Sequence, residues 1–149
     1  MTAFRPARRE DVPAIVEMLA DDELGSTREL ENLQPYYSAF DAVMSEGGNR
    51  ILVGVNDQDQ PVATYQLTLI SGLSLSAARR AQIESVRVAA SHRGQGIGAQ
   101  VIADAEHRAR AAGCRLVQLT SNRSRERALD FYERAGFTPS HIGFKRYLD

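Results

Sequence analysis

The sequence predicts a single domain of mixed α/β class, and three observations carry that prediction. Two β-like runs, 51–55 and 62–70, flank a short polar turn, as in an antiparallel hairpin. Two further β-like runs, 82–89 and 115–120, are separated by a helical segment, as in a β-α-β unit. The chain has 149 residues, of which 43% are hydrophobic and 25% charged, which is enough for one core without disulfides. We therefore expect one domain over residues 1–149.

The chain is predicted to begin with a short strand and a helix. A strand at 4–7 is limited by Pro6 to a sheet edge or a strand end, because proline has no N–H to donate to a ladder. Asp11 can cap the helix that follows, where proline at the next-but-one position is tolerated in the first turn. The apolar residues of this helix recur at helical spacing and are Val12, Ile15, Val16 and Leu19.

The segments between residues 21 and 61 are predicted from the polar, proline and glycine residues that interrupt their apolar spacing. Residues 21–28 form a polar break. Apolar spacing then continues as two short helices, interrupted at Pro35 and ending at the glycine pair 47–48. The composition of 57–61 is typical of the turn in a β-hairpin.

The second half is predicted to alternate helices with strands. A helix at 96–112 has one apolar face and ends at Gly113, which suits a C-cap. A later helix, 125–135, ends in the same way at Gly136. The closing segment 142–148 is predicted to pair as the final strand of the sheet.

The most informative motif is the loop Arg93-Gly94-Gln95-Gly96-Ile97-Gly98, which lies between a strand and a helix. Three glycines in five residues remove side chains, so that a ligand can approach the backbone. The helix that follows has no Ser, Thr, Asp or Asn in its first turn to satisfy the free N–H groups. Together with the helix dipole and the Arg93 cation, those donors suit an anion such as a pyrophosphate. The motif therefore predicts a phosphate-bearing cofactor held mainly by backbone.

Two other phosphate-binding loops do not fit this spacing. A Walker-type loop ends in Gly-Lys-Ser/Thr, whereas Gly98 is followed by Ala99 and Gln100. A dinucleotide-binding turn has the spacing Gly-x-Gly-x-x-Gly after an early strand, which Gly94 and Gly96 in the second half of the chain do not reproduce. A flexible glycine turn without a ligand is the remaining alternative.

Composition narrows the function classes. The formal net charge of −1 argues against a nucleic-acid-binding surface, since such a surface carries a clear basic excess. No apolar run reaches membrane-spanning length, and the N-terminus lacks a signal-peptide core. The single cysteine, Cys114, excludes an internal disulfide and fits a reducing cytoplasm. The three histidines have no metal-ligand spacing, so we expect no metal.

The glycine loop and its flanks resemble the acyl-CoA-binding region of the GNAT superfamily of N-acetyltransferases. Residues 93–98 match the family signature Gln/Arg-x-x-Gly-x-Gly/Ala, and 84–88 look like the central strand before it. Residues 116–122 are similar to the next strand and its exit. The pattern Ala-x-x-x-Tyr-x-x-x-Gly-Phe at 128–137 is similar to the late helix. The resemblance implies a strongly twisted mixed sheet of about six or seven strands, flanked by about four helices.

The resemblance also implies an activity: transfer of an acetyl group from acetyl-CoA to a primary amine, a small molecule, by direct attack in a ternary complex. Many relatives form dimers, so a homodimer is a further expectation. The implied acyl-CoA contacts are Val86, Arg87, Val88, Arg93, Gly94, Gln95, Gly96, Ile97, Gly98, Ala99, Asn122 and Tyr132. An acyl-CoA-binding regulatory module with little turnover is the alternative function.

The identity of the acceptor amine is not readable from the sequence. In the family, the region around 21–31 borders the acceptor site, so its acidic residues suit a cationic amine. A solvated acidic face is the alternative interpretation.

Glu84 is the candidate general base. A typical alkyl amine has a pKa near about 10, so a base must remove a proton at neutral pH, directly or through water. Strand alternation places Glu84 on one face with Val86 and Val88, and a lone carboxylate in an apolar run is costly to bury. A structural ion pair with Arg87, or with a cation of a neighbouring strand, is the alternative.

Tyr132 is the candidate general acid, because a phenol can donate a proton to a thiolate leaving group. In the family this position serves as the acid or contacts the CoA sulfur; a core tyrosine is the alternative. Asn122 can hydrogen-bond the pantetheine arm of the cofactor, with a turn residue as the alternative. The main chain of Val86 and Val88 can bind the same arm as though it were an added strand.

Overall fold

The fold is built around one five-stranded sheet. The computed structural model describes residues 2–21, 29 and 31–148. The strands are β1 (Ala3–Pro6), β2 (Asn49–Val55), β3 (Pro61–Ile70), β4 (Arg80–Val88) and β5 (Leu116–Leu119), and they lie side by side in that order. Neighbours are antiparallel except β4 and β5, which are parallel. The predicted mixed α/β class is confirmed, with five strands in the described chain rather than six or seven.

Five helices flank or connect these strands in the described residues. They are α1 (Val12–Ala20), α2 (Gln34–Ser45), the single turn α3 (Ser74–Ala77), α4 (Ile97–Ala111) and α5 (Glu126–Arg134). None of them combines the length and the apolar character that a membrane span requires.

The sheet buries a core on each face. On one face, α4 packs Val101 and Ala105 against fully buried strand residues such as Leu67 and Ile83. On the other face, α1 and α2 cover β2 through a separate apolar cluster that includes Phe40. Full burial of a side chain such as Val101 or Leu67 contributes about 1.5–3 kcal/mol to the free energy of folding. Packing therefore holds α4 against the sheet.

A partly buried polar network also anchors α4. The Tyr65 hydroxyl of β3 donates to Asp104 Oδ2 at 2.5 Å, and Arg108 Nε donates to the same oxygen at 2.8 Å. Arg108 Nη2 then reaches the Phe4 carbonyl of β1 at 3.2 Å. Burial, reinforced by Asp104, raises the pKa of Tyr65, so its phenol stays protonated and donates. The position of α4 relative to the strands is therefore set by directional bonds as well as by packing.

Two predictions at the N-terminal side are wrong in detail. Pro35 does not interrupt a helix but lies in the first turn of α2, where its missing N–H leaves no hydrogen bond unmade. Asp11 does not cap α1 with its side chain. Its carboxylate instead accepts the Arg8 N–H and pairs with Arg5, each at 2.7 Å. Of the predicted polar break at 21–28, all but the first residue lie outside the described residues.

The prediction of a final strand at 142–148 is also wrong for this chain. These residues pair with no described strand and are exposed throughout. An alternating pattern favours extended backbone, but pairing also requires a chain reversal. The pattern of 142–148 contains no signal for such a reversal, and in the described chain this segment joins no strand of the sheet.

Candidate functional site

A β-bulge interrupts β4 where the candidate base lies. Gln66 of β3 pairs with Glu84 and Thr64 pairs with Arg87, so two residues of β4 face the single residue between them on β3. Ser85, inside the bulge, has a φ of 54°, a left-handed conformation that residues with a Cβ rarely adopt. Bulges bend a strand and redirect the side chains that follow.

The predicted face of Glu84 is wrong, because the bulge places Glu84 on the opposite face of the strand from Val86 and Val88. Val86 and Val88 pack toward the α4 core, as Ile83 does before the bulge. Glu84 instead shares the opposite face with Arg87, because both pair with β3 residues of the same parity. Glu84 is exposed, and no described residue forms an ion pair or hydrogen bond with it. The alternative of a structural ion pair therefore has no support in the described chain.

A gap opens between β4 and β5 beyond the bulge. The two strands pair only from Arg80–Leu116 to Ile83–Leu119, and β4 then continues alone to Val88. In this stretch the Val86 carbonyl accepts from Arg87 Nη1 at 2.9 Å. The outer backbone edge of β4 is thus free of any strand in the described residues, and an extended chain with amide groups can pair there.

The glycine loop ends at the N-terminus of α4, as predicted. Gly94 and Gly96 both have a φ of 78°, and a Cβ built at either would have no neighbour within 4 Å. Gly96 is the N-cap residue of α4, and neither a capping side chain nor an acidic residue satisfies the first turn. The space beside the loop is therefore open, and the N–H groups of the first turn are directed into it.

The three predicted glycines do not have the same role. A Cβ on Gly98 would lie 3.2 Å from Phe131 Cζ of α5, so this glycine allows α5 to pack on the first turn of α4. Ile97 is buried in the core, so only its main chain is available to a ligand. Gln95 and Ala99 are exposed on the open side.

Arg93 is half-exposed and already has partners. Its Nε donates to the Val88 carbonyl at 3.2 Å, and its Nη2 donates to the Asp21 carbonyl at 3.1 Å. The Asp21 carboxylate lies 3.4 Å from the same Nη2. Any anion bound at the loop therefore competes with Asp21 for this guanidinium.

Tyr132 combines core packing with a polar end. Its ring makes edge-to-face contacts with Phe131 and Phe137, at centroid distances of 5.2 and 5.9 Å. Burial raises the pKa of Tyr132, and the nearby positive charges of Arg87 and Arg125 oppose that effect. The net direction is upward, so the phenol is protonated at neutral pH and able to donate.

Asn122 adopts the geometry of a turn residue. Its side-chain oxygen accepts from the Ser124 N–H at 3.0 Å and from the Ser124 hydroxyl at 2.8 Å. Its main-chain carbonyl accepts from the Arg125 N–H at 3.0 Å, which begins the approach to α5. These bonds are those of a turn residue, and the contact between the Asn122 amide nitrogen and the pantetheine arm stays a prediction.

Sequence reasoning missed three contributors: the bulge at Ser85, the Asp21 partner of Arg93, and Arg125 beside Tyr132. A non-glycine residue at positive φ leaves no mark in the sequence. Arg125 lies among several arginines between 123 and 127, and nothing in that spacing marks it as a neighbour of Tyr132. The groove of about 220 Å³ beside Leu116 and Phe137 lies away from the glycine loop and takes no part in this site.

Comparison with known proteins identifies the family. Residues 13–137 match the sequence profile of the acetyltransferase (GNAT) family, and the chain belongs to that family. Membership is consistent with an acyltransferase that uses acetyl-CoA as co-substrate and binds a second, acceptor substrate.

Two solved structures show how far the likeness extends. The crystal structure of a transcriptional regulator from Bacillus halodurans C-125 is 38% identical, covers 99% of this chain and 100% of that chain, and has a TM-score of 0.94. Glucosamine-6-phosphate N-acetyltransferase from Arabidopsis thaliana is 20% identical, covers 100% of this chain and 99% of that one, and has a TM-score of 0.80. At that lower identity the likeness shows the fold alone.

A curated relative matches over a shorter length. The aminoalkylphosphonate N-acetyltransferase of Salmonella typhimurium is 42% identical over 67 residues, which cover 45% of this chain and 44% of that protein. The match thus spans less than half of the relative's length.

Proposed function

We propose that this protein is an N-acetyltransferase that moves an acetyl group from acetyl-CoA to a primary amine by direct attack in a ternary complex. The observation that carries the proposal is the adjacency of two backbone features between residues 86 and 99. One is the uncapped N-terminus of α4 behind a left-handed glycine loop. The other is the strand-free edge of β4 beyond the bulge.

These two features suit the two parts of one ligand. The N–H groups at the start of α4, with Arg93 beside them, suit a pyrophosphate. The main chain of Val86 and Val88 suits the amides of a pantetheine arm, paired as an added strand. Arg87 and the free amide nitrogen of Asn122 flank the same gap in this proposal.

The pairing of β4 with β5 ends at Ile83 and Leu119, directly before Glu84, and this fits the proposed roles of the two side chains. Glu84, on the face away from α4, removes a proton from the attacking amine, directly or through water. The amine nitrogen bonds to the thioester carbon, and the carbon–sulfur bond breaks. The sulfur takes a proton from the Tyr132 phenol, which is refilled from solvent. The raised pKa of Tyr132 keeps that proton in place until the thiolate forms.

A thiol-release assay tests the proposal. The protein is incubated with acetyl-CoA and a panel of small primary amines, with tertiary amines as controls because they cannot form a stable amide. We expect free CoA to appear with at least one primary amine and an equal amount of acetylated product. Binding of acetyl-CoA without amine-dependent release across the panel would contradict an N-acetyltransferase.

The role of Glu84 predicts a specific change in pH dependence. Glu84→Gln keeps the shape but cannot accept a proton, so turnover should fall most on the acidic side of the profile, where most of the amine is protonated. Glu10→Gln, at an exposed position near the N-terminus, is the matched control. Full activity of Glu84→Gln with an unchanged profile would make Glu84 a structural residue.

A second candidate function is an acyl-CoA-binding regulatory module with little turnover. One observation favours it: the solved structure that is 38% identical over nearly the whole chain is described as a transcriptional regulator. The thiol-release assay separates the two functions, since a regulatory module binds the thioester without releasing CoA.

A further inference from the structure

A row of uncharged polar side chains crosses the sheet on the face away from α4. Asn49 of β2, Thr68 of β3, Gln82 of β4 and Gln118 of β5 are direct neighbours in register, and we name them the polar row. All four are only partly buried. Nearer to β1, α1 and α2 cover Val53 on this same face. The polar row therefore lies beyond the apolar part of the face.

Hydrogen bonds hold the side chains of the polar row and of the neighbouring Gln66 in place. Asn49 Oδ1 accepts from Gln66 Nε2 at 2.8 Å and from the Thr68 hydroxyl at 3.0 Å. Gln118 Nε2 donates to Gln82 Oε1 at 2.7 Å. The amide nitrogen of Gln82 and the amide oxygen of Gln66 have no partner in the described residues. A donor and an acceptor, both already ordered, are thus available to a polar ligand.

Opposite charges lie on either side of the polar row along β4. Arg80, Gln82 and Glu84 share one face of the strand, because alternate residues point to the same side. Arg80 is partly buried, and its Nη1 donates to Gln118 Oε1 at 3.4 Å. No described carboxylate pairs with Arg80, and no described cation pairs with the exposed Glu84. The face thus presents a cation, a neutral hydrogen-bonding row and an anion, in that order.

We propose that the acceptor is a zwitterion, a primary amine that also carries a carboxylate or phosphate group. The inference rests on the proposed function, which places the amine at Glu84. Along the strand, Gln82 lies about 7 Å from Glu84 and Arg80 about 13 Å from it. The Arg80 guanidinium bonds to Gln118, in the row of Gln82, so it lies nearer to Glu84 than the full rise. An acceptor about as long as a dipeptide reaches both charges and spans the polar row.

The direction from Glu84 toward Arg80 leads away from the proposed cofactor. β4 pairs with β5 up to Ile83, on the Arg80 side, and continues alone on the Arg87 side. Arg87 Nη1 donates to the Val86 carbonyl at 2.9 Å within the gap. The part of the acceptor that does not react therefore extends over the paired strands and the polar row. A second positive charge on the acceptor would meet the Arg80 guanidinium there, whereas a negative charge is paired.

Matched pairs of acceptors test the anionic group on the native protein. Glycylglycine and glycylglycinamide differ only in a terminal carboxylate or neutral amide, and phosphoethanolamine and ethanolamine differ only in a phosphate. We expect the anionic member of at least one pair to exceed its neutral partner in kcat/KM by at least about 10-fold, the order of one charge-assisted hydrogen bond. The pair with the larger ratio identifies which anion the site takes.

The outcomes of this comparison separate the inference from the function on which it rests. Equal or reversed preference in both pairs, with CoA released, overturns the zwitterionic acceptor and leaves an N-acetyltransferase in place. Absence of CoA release with every amine contradicts the proposed function, and the inference falls with it. Because the acceptor pairs need only the native protein, the test does not depend on the folding of a variant.

Arg80→Gln tests the residue assigned to the anion. It should raise KM for the preferred anionic acceptor by at least about 10-fold, with kcat within about twofold and the neutral partner unaffected. Arg80→Lys keeps the charge and should restore part of the preference. Arg50→Gln, at an exposed position on the α4 face of β2, is the matched control and should change neither acceptor. An Arg80→Gln variant that binds acetyl-CoA normally but keeps the full preference, or loses activity equally with both acceptors, would overturn the assignment.

Discussion

Helix α4 has a left-handed glycine at each end, but only the C-terminal end has its free backbone groups satisfied. Gly96 and Gly113 share a φ of 78°, and an added Cβ would have no neighbour within 4 Å at either position. After Gly113 the chain closes the helix, since Cys114 N–H bonds to the Ala109 carbonyl at 2.9 Å. Before Ile97 no side chain caps the first turn. The same backbone conformation therefore completes one end and leaves donors free at the other.

Charge sharpens the contrast between the two ends. Arg108 and Arg110 lie in the last turn, where positive charge offsets the negative end of the helix dipole. The first turn has no acidic residue to offset the positive end. A charge placed well at a helix end is worth about 0.3–1 kcal/mol, so the Gly96 end is the one that gains from a bound anion.

The largest expected effect is on the transfer rate, and it tests whether a reacting group lies at the Gly96 end of α4. Phe131 contacts Gly98, so its neighbour Tyr132 lies at that end of α4. Tyr132→Phe removes the proposed proton donor and keeps the ring contacts. We expect the transfer rate to fall by about 10²–10⁴-fold, as is typical for loss of a general acid. Acetyl-CoA affinity should change much less, because one hydrogen bond is worth about 1 kcal/mol net.

Two controls define the meaning of the Tyr132→Phe result. Tyr37→Phe removes a phenol from a ring that packs under Arg9, far along the chain from α5, and should keep full activity. An acyl donor whose thiol leaves readily as an anion should shrink the Tyr132→Phe defect, since its thiolate needs no proton. A large loss of affinity at an unchanged rate would reassign Tyr132 to binding.

A smaller effect is expected on the free energy of unfolding, at a residue that lies away from both ends of α4. Asp11 is buried and paired with Arg5, and Asp11→Asn should lower the free energy of unfolding by about 2 kcal/mol at pH 7. Burial alone would raise the pKa of Asp11, but hydrogen bonds from Arg5 and Arg8 outweigh it and lower the pKa. The stabilisation is therefore present above the unfolded-state pKa of about 3.9 and is lost as the pH falls through the folded-state value.

Urea unfolding at several pH values checks this expectation. The difference between the native protein and Asp11→Asn should be largest near neutral pH and should shrink in acid. Acetyl-CoA affinity should stay the same, because Asp11 lies near β1 and α1 rather than at either end of α4. A difference that grows in acid would reverse the assigned direction of the pKa.

The smallest effect concerns the guanidinium beside the Gly96 end. Exposed ion pairs are worth about 0.2–1 kcal/mol, so freeing Arg93 from its carboxylate partner with Asp21→Asn should tighten acetyl-CoA binding by up to about fivefold. Asp130→Asn, which breaks an exposed pair with Arg134 on α5, is the matched control and should not change affinity. Weaker binding by Asp21→Asn would show that Asp21 positions Arg93 for the ligand instead of competing with it.

The parts of the fold and site that could be predicted are those with local signals. Glycine spacing located the loop and the start of α4 correctly, because only glycine reaches a φ of 78° without strain. The strands of the hairpin were visible as β-like runs. The face of Glu84 was wrong because the bulge depends on Ser85, whose left-handed conformation is imposed by the surrounding sheet.

Local sequence patterns also do not show which strands pair with each other. The pattern of residues 142–148 favours extended backbone, but it says nothing about whether that segment pairs with a sheet edge. The interruption predicted at Pro35 is wrong because the first turn of a helix also tolerates proline. The Pro35 error is a choice between two local interpretations, whereas the pairing of 142–148 depends on tertiary structure.

The most direct measurement compares Gly96→Glu with Gly113→Glu by titration calorimetry with acetyl-CoA. Both substitutions put the same side chain on a residue with a φ of 78° at opposite ends of one helix, with open space around the added Cβ, so the added charge is matched. Only Gly96→Glu directs a carboxylate into the space where the pyrophosphate is proposed to bind. We expect it to weaken acetyl-CoA binding by at least about 100-fold, with Gly113→Glu close to the native affinity. Equal affinity in two folded variants would contradict the assignment of the cofactor to the N-terminus of α4.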